Sequence, residues 1–301
     1  MAKKDLMKLT DLSVDELNEI LKIAADYKKN RFGYKNVLEN KTIGTIFLKN
    51  STRTRVSFET GINQLGAYPM FLDDKSLQIG RGESFHDTAK VLSRYLEGIV
   101  IRGHAHEDIK DFADACDIPV INALTDKYHP CQLLADMQAM IEVRGSLEGA
   151  KVAFYGDCAS NMANSFVLAA SMTGMDLRMA GPKGYQPEKW LMDEAGNPSN
   201  VTITDDAQAA AKDADFLVTD VWISMGFEEE AAERSKIFMP YQLNKALLKE
   251  ANSNCKVMHC LPAYREKEIT AEVLEGPQSI IWDEAENRLH AQKAAMSLLF
   301  N

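Results

Sequence analysis

The sequence predicts an α/β protein with two domains, each a mostly parallel β-sheet flanked by helices. Its 301 residues match about two domains of roughly 150 residues each. Short apolar segments alternate with amphipathic ones along the chain, which is the pattern of consecutive βαβ units. The composition, 46% hydrophobic and 26% charged, is typical of a globular protein with a large core.

The first half begins with an amphipathic helix and continues as a βα series. Ser13 and Glu16 have the spacing of a capping box, and Leu17, Ile20 and Leu21 then fall on one helical face. Strands are expected at residues 42–48, 68–72, 98–101 and 119–122, and helices at residues 53–65 and 132–143.

The second half repeats this alternation. The segment 181–199 is rich in loop-forming residues, and residues 285–300 form a final helix that is expected to pack back on the first half. The change from one series to the next predicts domains at residues 1–140 and 141–284. Strands are expected at residues 151–155, 176–180, 216–220, 256–259 and 279–283.

Composition and charge exclude several classes of protein. A net charge of −10 and a pI near 5.2 argue against nucleic acid or an anionic membrane as partner. The chain has no apolar run of about 18 residues and no apolar segment of a secretory signal, so we expect no membrane span and a cytoplasmic location. The five cysteines lack paired CxxC spacing, which predicts reduced thiols and no structural zinc.

A string of hydroxyl and basic residues follows the first predicted strand and opens a helix. It comprises Ser51, Thr52, Arg53, Thr54 and Arg55. The free N–H groups of a helix N-terminus bind anions, and arginine donates to phosphate oxygens. Open α/β sheets bind ligands beyond the carboxyl ends of their strands, which favours an anion site here. A capped helix with solvated arginines is the plain alternative.

Two further positions in the first half suit a polarised carbonyl group. Arg102 ends a predicted strand, and His129 and Gln132 lie three apart where a helix begins, so both can face one site. An imidazole and an amide can stabilise a developing oxyanion. Taken singly, each of these residues is also compatible with a purely structural role.

The second half adds an acid and a thiol at strand ends. Asp220 ends one strand and could hold a substrate ammonium group, and Cys260 follows another strand directly after His259. Neighbouring residues on an extended chain point in opposite directions, so we expect no His259–Cys260 nucleophilic pair. Basic groups lie mainly in the first half and the acid in the second. This polarity predicts one active site in an interdomain cleft, with an anionic donor and a cationic acceptor.

Five segments resemble those of ornithine carbamoyltransferases, within the wider aspartate/ornithine carbamoyltransferase family. The segments are FLKNSTRTRVSFE, HPCQLLAD, DVWISMG, HCLPAYR and DEAENRLHAQ, and their order and spacing match over nearly the whole chain. The resemblance implies transfer of the carbamoyl group from carbamoyl phosphate to the side-chain amine of ornithine, which yields citrulline and phosphate. It implies residues 1–140 as the carbamoyl-phosphate-binding domain and residues 141–284 as the ornithine-binding domain.

The resemblance also implies a role for each site residue. Catalysis would fall to Arg102, His129, Gln132 and Cys260. The ornithine α-amino and α-carboxylate groups would be held by Asn161, Asp220, Ser224 and Met225, while Cys260 and the Leu261 carbonyl meet its side-chain amine. Carbamoyl phosphate would contact Ser51, Thr52, Arg53, Thr54, Gln78, Arg102, His129, Gln132, Cys260, Leu261 and Arg288.

Gln78 matches a loop that reaches the site of a neighbouring subunit, which implies a homotrimer or a multiple of trimers. No metal or cofactor is implied, since arginines neutralise the phosphate. The chain departs from the family pattern at Ser160, Tyr264 and Ala123. Of these, Ser160 bears most directly on the site, because it precedes Asn161.

Three alternatives remain open at this point. A sister enzyme could carbamoylate aspartate, putrescine or a modified ornithine, although the SMG segment argues against putrescine. A nicotinamide-dependent dehydrogenase would require a GxGxxG fingerprint, but Gly156 stands alone. A non-catalytic paralogue would keep the fold without turnover.

Overall fold

A computed structural model describes residues 3–73, 77–79, 82–223 and 231–301. The chain forms two compact units. Unit 1 comprises Met1–Gln138 and Glu286–Asn301, and unit 2 comprises Ala139–Ala285. Each unit contains one parallel β-sheet with helices, so the predicted α/β class is confirmed. No helix of the described ranges has the length and apolar character needed to cross a bilayer.

Unit 1 is built on a sheet with the strand order β2-β1-β3-β4, in which every pairing is parallel. After β1 the chain adds β2 on one side of that strand and then crosses over to add β3 on the other side. A topological switch point therefore lies between β1 and β3. Ligands bind at such points in open α/β sheets. The elements are α1 (Val14–Lys29), β1 (Thr42–Phe47), α2 (Thr52–Gln64), β2 (Tyr68–Asp73), α3 (Phe85–Leu92), β3 (Gly98–Arg102), α4 (His106–Ala115), β4 (Val120–Leu124) and α5 (Pro130–Arg144).

Unit 2 has the strand order β7-β6-β5-β8-β9, again with parallel pairings, and its switch point lies between β5 and β8. Short 3₁₀ helices occur at Leu9–Asp11 and Met239–Tyr241. The remaining elements are β5 (Lys151–Tyr155), α6 (Asn161–Thr173), β6 (Asp176–Ala180), α7 (Lys189–Glu194), β7 (Val201–Thr204), α8 (Ala207–Ala211), β8 (Phe216–Thr219), α9 (Ala231–Phe238), α10 (Lys245–Glu250), β9 (Lys256–His259), α11 (Ala271–Leu274) and α12 (Ile281–Leu299).

One predicted strand is wrong. Residues 279–283 do not form a strand, because α12 already begins at Ile281 and only Ser279 forms an isolated bridge, to Val257. The short apolar run is compatible with either element. Asp283 and Glu284 favour the helix, since carboxylates in the first turn of a helix interact favourably with the positive end of its dipole.

Between β6 and α8 lie a helix and a strand, α7 and β7, that were not predicted. The loop-rich segment contains the six-residue α7, and β7 follows it at the edge of the sheet. The two middle residues of β7, Thr202 and Ile203, are both exposed. An edge strand of four residues with this burial lacks the apolar alternation from which strands are predicted.

Lys293 fills the core of unit 1 although it is charged. Its side chain is fully buried on α12, and its Nζ donates to the Arg31 carbonyl at 2.8 Å and to Gln64 Oε1 at 3.2 Å. A Cβ on Gly61 would lie 3.1 Å from Lys293 Cγ, which explains a glycine inside α2. Burial, followed by repulsion from Arg31, lowers the pKa of Lys293 to about 8.

We expect Lys293 to make the free energy of unfolding depend on pH between 8 and 10. The folded protein releases this proton near pH 8, whereas the unfolded chain holds it up to about 10.4. Stability is therefore gained as pH rises through this window, by up to ~1.4 kcal/mol per pH unit. Urea unfolding should show a more positive slope of the unfolding free energy against pH in wild type than in Lys293→Met, because the other titrating groups contribute equally to both proteins. Equal pH slopes in the two proteins would contradict the assignment.

Candidate active site

The helix α2 begins where the sequence places the anion site. Ser51 is its N-cap, and its Oγ accepts from the Thr54 backbone N–H at 3.3 Å. The side chains of Thr52 and Arg53 are exposed. Arg55 points elsewhere, because its Nε donates to Glu59 Oε1 at 2.8 Å and its guanidinium lies 3.4 Å from the centre of the Phe71 ring. Arg53 is thus the arginine of this turn that faces solvent.

Two buried arginines converge on the hydroxyl of Thr54. Arg102 Nη1 lies 3.4 Å from Thr54 Oγ1, and Arg288 Nη2 lies 3.3 Å from the same oxygen. Arg288 also donates from Nη1 to Gln132 Oε1 at 2.6 Å. Arg102, Arg288 and Thr54 are each less than a tenth exposed. This concentration of positive charge beside a helix N-terminus favours an anionic ligand.

His129 lies close to the two arginines and is held neutral. Burial, and then the positive charges of Arg288 and Arg102, lower its pKa well below the usual value. A neutral imidazole at pH 7 carries one N–H that can donate to a carbonyl oxygen without adding charge. Gln132 is oriented from both ends of its amide, since its Nε2 also donates to Asp136 Oδ1 at 2.8 Å.

Unit 2 brings the predicted acid and thiol together. Asp220 directly follows β8, and the Cys260 Sγ donates to its Oδ1 at 3.1 Å. The Val221 N–H donates to the same oxygen at 2.7 Å. Burial raises the pKa of Asp220, an effect that His259 and the Cys260 thiol reduce. A cationic amine placed beside Asp220 would favour its ionised form.

The expected absence of a nucleophilic His259–Cys260 pair is confirmed. His259 Nε2 bonds to Glu268 Oε1 at 3.1 Å, and its Nδ1 accepts from the Leu261 N–H at 2.9 Å. Both ring nitrogens are therefore engaged away from the thiol. Leu261 has φ +58°, a left-handed conformation that costs energy for a branched side chain, and its bond to His259 helps to hold it there.

The loop after β5 places Asn161 at the first position of α6. Ser160 is the N-cap of this helix, with its Oγ accepting from the Ala163 N–H at 3.3 Å. A hydroxyl is well suited to capping, so the departure at Ser160 keeps the helix start defined. Asp157 of the same loop forms a buried ion pair with Arg234 on α9.

Three further site residues were predicted, namely Gln78, Ser224 and Met225. Gln78 is exposed, in the short described segment 77–79. Ser224 and Met225 lie outside the described residues.

Three residues at the first cluster were missed from the sequence. With its amide turned to suit its neighbours, Gln292 accepts from Arg288 Nε at 3.0 Å and from Nη2 at 2.8 Å. Asp136 orients Gln132. Burial, together with repulsion from Arg102, lowers the pKa of Lys49, which precedes the hydroxyl-rich string. Gln132 and Asp136 have the i, i+4 spacing of helical neighbours, a signal that could have identified Asp136.

One group of metal-capable side chains occurs within the described ranges. Ligand atoms of Asp220, His259 and Cys260 all lie within 4.8 Å of one another. The bonds of His259 to Glu268 and to the Leu261 N–H occupy both of its ring nitrogens. A metal ion would therefore have to break one of these bonds to gain a third ligand.

Comparisons with known proteins agree over the full chain. Residues 4–142 match the family model of the aspartate/ornithine carbamoyltransferase carbamoyl-P binding domain, and residues 148–299 match that of the Asp/Orn binding domain. The ornithine carbamoyltransferase of Methanosphaera stadtmanae is 49% identical over 99% of both chains. That of Bacillus subtilis is 47% identical, over 98% of this chain and 93% of its own.

Solved structures show the same similarity. Ornithine carbamoyltransferase from Pyrococcus furiosus superposes with a TM-score of 0.94 at 44% identity, covering 99% of this chain and 97% of that one. The Thermus thermophilus enzyme gives a TM-score of 0.91 at 37% identity, with complete coverage of both chains. Sequence and fold thus lead to one conclusion: the chain belongs to the aspartate/ornithine carbamoyltransferase family.

Proposed function

We propose that this protein transfers the carbamoyl group of carbamoyl phosphate to the side-chain amine of L-ornithine and releases L-citrulline and phosphate. The convergence of Arg102 and Arg288 on the Thr54 hydroxyl, at the N-terminus of α2, carries the proposal. This arrangement suits an anionic donor. Ornithine as acceptor is supported by relatives of nearly equal length, all named ornithine carbamoyltransferases.

The first cluster would bind carbamoyl phosphate from two ends. Its phosphate would lie at the start of α2, against Ser51, Thr52, Arg53 and Thr54, where N–H groups and a cation stabilise negative charge. Its carbonyl oxygen would accept from Arg102, His129 and Gln132, with Arg288, which donates to Gln132, assisting there. Donors aimed at a developing oxyanion stabilise the transition state more than the ground state.

The second cluster would bind ornithine. Asp220 would hold the α-ammonium group, with Asn161, Ser224 and Met225 completing the contacts to the amino-acid end. Cys260 and the Leu261 carbonyl would meet the side-chain amine. The left-handed conformation of Leu261 and its bond to His259 support a fixed direction for that carbonyl.

The chemistry requires a neutral amine. An alkyl ammonium has a pKa near ~10.4, so the group must lose a proton before it attacks at pH 7. The amine nitrogen then bonds to the carbamoyl carbon, and the oxyanion forms against Arg102 and His129. The C–O bond to phosphate breaks, the phosphate leaves with the bonding electrons, and the second proton of the nitrogen passes to the leaving phosphate. Arg53 would stabilise the departing phosphate.

We also propose a domain assignment and a compartment. Residues 1–140, with the helix at 285–300, would form the carbamoyl-phosphate-binding domain, and residues 141–284 the ornithine-binding domain. An interdomain cleft stays a prediction. The five cysteines, all within the described ranges, form no disulfide bond, which supports the reducing cytoplasm.

A homotrimer or a multiple of trimers is supported by an exposed apolar surface on unit 1. The edge strand β2 exposes Tyr68 and Met70, and α2 exposes Val56. Apolar side chains on an edge strand are usually covered in an assembly. Gln78, which follows β2, would then reach the site of a neighbouring subunit. Light scattering should give a mass of three times the 33.6 kDa chain, or a multiple of that.

The test of the function compares amine acceptors. The protein is incubated with carbamoyl phosphate and, separately, ornithine, N-acetylornithine, putrescine or aspartate, and the carbamoylated product is measured. We expect citrulline to form far faster than any other product, because each competitor lacks one group that the proposed site recognises. N-acetylornithine lacks the free α-ammonium group, aspartate lacks the side-chain amine, and putrescine lacks the α-carboxylate. Preference for another amine would overturn the acceptor. Absence of turnover with all four would overturn the enzymatic function.

A further inference from the structure

A cluster of buried polar groups lies next in sequence to Arg102 and His129, two of the residues proposed to bind the carbamoyl oxygen. It comprises His106 at the start of α4, Asn122 on β4, and Thr125 and Tyr128 of the turn after β4. All four side chains are less than a tenth exposed. His129 follows this turn in sequence, and the start of α4 follows Arg102 after three residues. The cluster therefore connects the chain segments that carry Arg102 and His129.

The turn and the start of α4 are held together by several bonds. The His106 backbone N–H donates to Asp126 Oδ1 at 2.8 Å, which caps a helix whose own N-cap, Ala105, has no capping side chain. The Asp126 N–H donates to the His104 carbonyl at 2.9 Å. Lys127 pairs with Glu107 at 2.7 Å. Displacing the turn would thus disturb the start of α4 as well.

A buried hydrogen bond joins the His106 side chain to the Thr125 side chain. His106 Nδ1 lies 3.0 Å from Thr125 Oγ1, and its ring meets the Tyr128 ring edge-on at 5.0 Å. The Thr125 oxygen also accepts from the Tyr128 N–H at 3.3 Å and lies 3.5 Å from Asn122 Nδ2. The Thr125 hydroxyl has one proton to donate, and its two possible acceptors are His106 Nδ1 at 3.0 Å and the Tyr128 carbonyl at 3.5 Å. Because the contact with His106 is the shorter one, we assign the hydroxyl as donor to His106 Nδ1.

We propose that His106 is a positioning residue for Arg102 and His129. Its neutral imidazole accepts a hydrogen bond from the Thr125 hydroxyl and so holds the turn that leads into His129. The inference rests on the proposed function, since it concerns the carbonyl end of the same carbamoyl phosphate site. His106 touches no reacting atom and acts only through the turn.

Protonation of His106 would break this arrangement. An imidazolium carries a proton on Nδ1, and the Thr125 oxygen, with two lone pairs, already receives the Tyr128 and Asn122 donors. Burial lowers the pKa of His106. The charged groups that face it are Glu107 on its own helix, Asp126 and Lys127 on the turn, and Asp11 near the N-terminus. The neutral form and the bound turn are therefore retained at pH 7, and both are lost in acid.

Two pairs of variants test the proposal. His106→Asn keeps an acceptor oxygen at the position of Nδ1 but does not titrate, whereas His106→Ala removes the acceptor. Thr125→Val removes the hydroxyl at nearly constant shape. His290→Asn is the control, because His290 is another buried histidine of unit 1, and its Nε2 bonds to Glu286 on its own helix.

Initial rates are measured between pH 5.5 and 9 against carbamoyl phosphate, together with thermal unfolding at each pH. We expect His106→Ala and Thr125→Val to lose about tenfold or more in kcat/KM for carbamoyl phosphate, with the KM for ornithine unchanged. His106→Asn should remain close to wild type at pH 8 and should lose less activity in acid. His290→Asn should lower the unfolding temperature alone.

The contrary results are equally distinct. The inference is overturned if His106→Ala and Thr125→Val have the kinetics of His290→Asn, or if His106→Asn is as impaired as His106→Ala. If His106→Ala does not fold, the kinetics of Thr125→Val and His106→Asn still test the inference. A wild-type protein without turnover would overturn the proposed function instead, so the two failures can be told apart.

Discussion

Replacing Arg53 by alanine should reduce kcat/KM for carbamoyl phosphate by ~10²- to 10⁴-fold and leave the unfolding temperature unchanged. Its side chain is exposed at the first turn of α2, and exposed substitutions change stability little. In the proposed complex, however, its guanidinium makes charge-assisted bonds to the phosphate. These bonds strengthen as the phosphate leaves and gains charge, so kcat should fall as well as affinity.

Arg55→Ala is the matched control, because it removes the same side chain two residues further along the same helix. Arg55 is already occupied by Glu59 and the Phe71 ring. We therefore expect a slightly lower unfolding temperature and a KM for carbamoyl phosphate within a few-fold of wild type. Initial rates and calorimetric binding of carbamoyl phosphate should be measured on both variants. Equal losses in the two would remove the special role of Arg53.

The contrast between these arginines shows where sequence reasoning succeeds at the site. Residues two apart on a helix are separated by about 200°, so the sequence already requires Arg53 and Arg55 to face different ways. The i, i+4 partner Glu59 even indicates which of them turns aside. Position at a strand end likewise pointed to Arg102 in unit 1 and to Asp220 in unit 2, because open α/β sheets bind ligands beyond the carboxyl ends of their strands.

Other features depend on contacts that sequence periodicity does not contain. Lysine is usually a surface residue, yet Lys293 is buried, because the Arg31 carbonyl and Gln64 accept hydrogen bonds from its Nζ. His106 and Arg234 act through partners that are distant in sequence. The strand expected at residues 279–283 was wrong for a related reason, since a short apolar run does not distinguish a buried strand from the start of a buried helix.

Replacing Asp220 by asparagine should have opposite effects on activity and stability. We expect kcat/KM for ornithine to fall by about 10²-fold or more, because a partly buried carboxylate that is proposed to face an ammonium group is replaced by a neutral amide. The KM for carbamoyl phosphate should stay near that of wild type. Asparagine keeps the shape and can still accept from the Cys260 thiol and the Val221 N–H, so the local structure should survive.

The gain in stability follows from the direction of the pKa shift. Burial raises the pKa of Asp220 above its usual value of 3.8, so above that pH the folded protein holds this proton more tightly than the unfolded chain does. The free energy of unfolding therefore falls as pH rises from 3.8 to the folded-state pKa, and it keeps the lower value above that pKa. An amide does not titrate, so Asp220→Asn should unfold at a higher temperature than wild type at pH 7.5 in the absence of substrate.

Asp215 supplies the control, because it lies at the amino end of β8 while Asp220 lies at the carboxyl end. Asp215 pairs with Arg144 and accepts from the Lys151 N–H and from Asn252. Asp215→Asn should therefore lower the unfolding temperature and spare ornithine kinetics. Unchanged ornithine kinetics in Asp220→Asn, or a loss of its stability, would refute the assignment. A variant that is both more stable and unable to use ornithine would show that the carboxylate serves substrate recognition at the expense of folding.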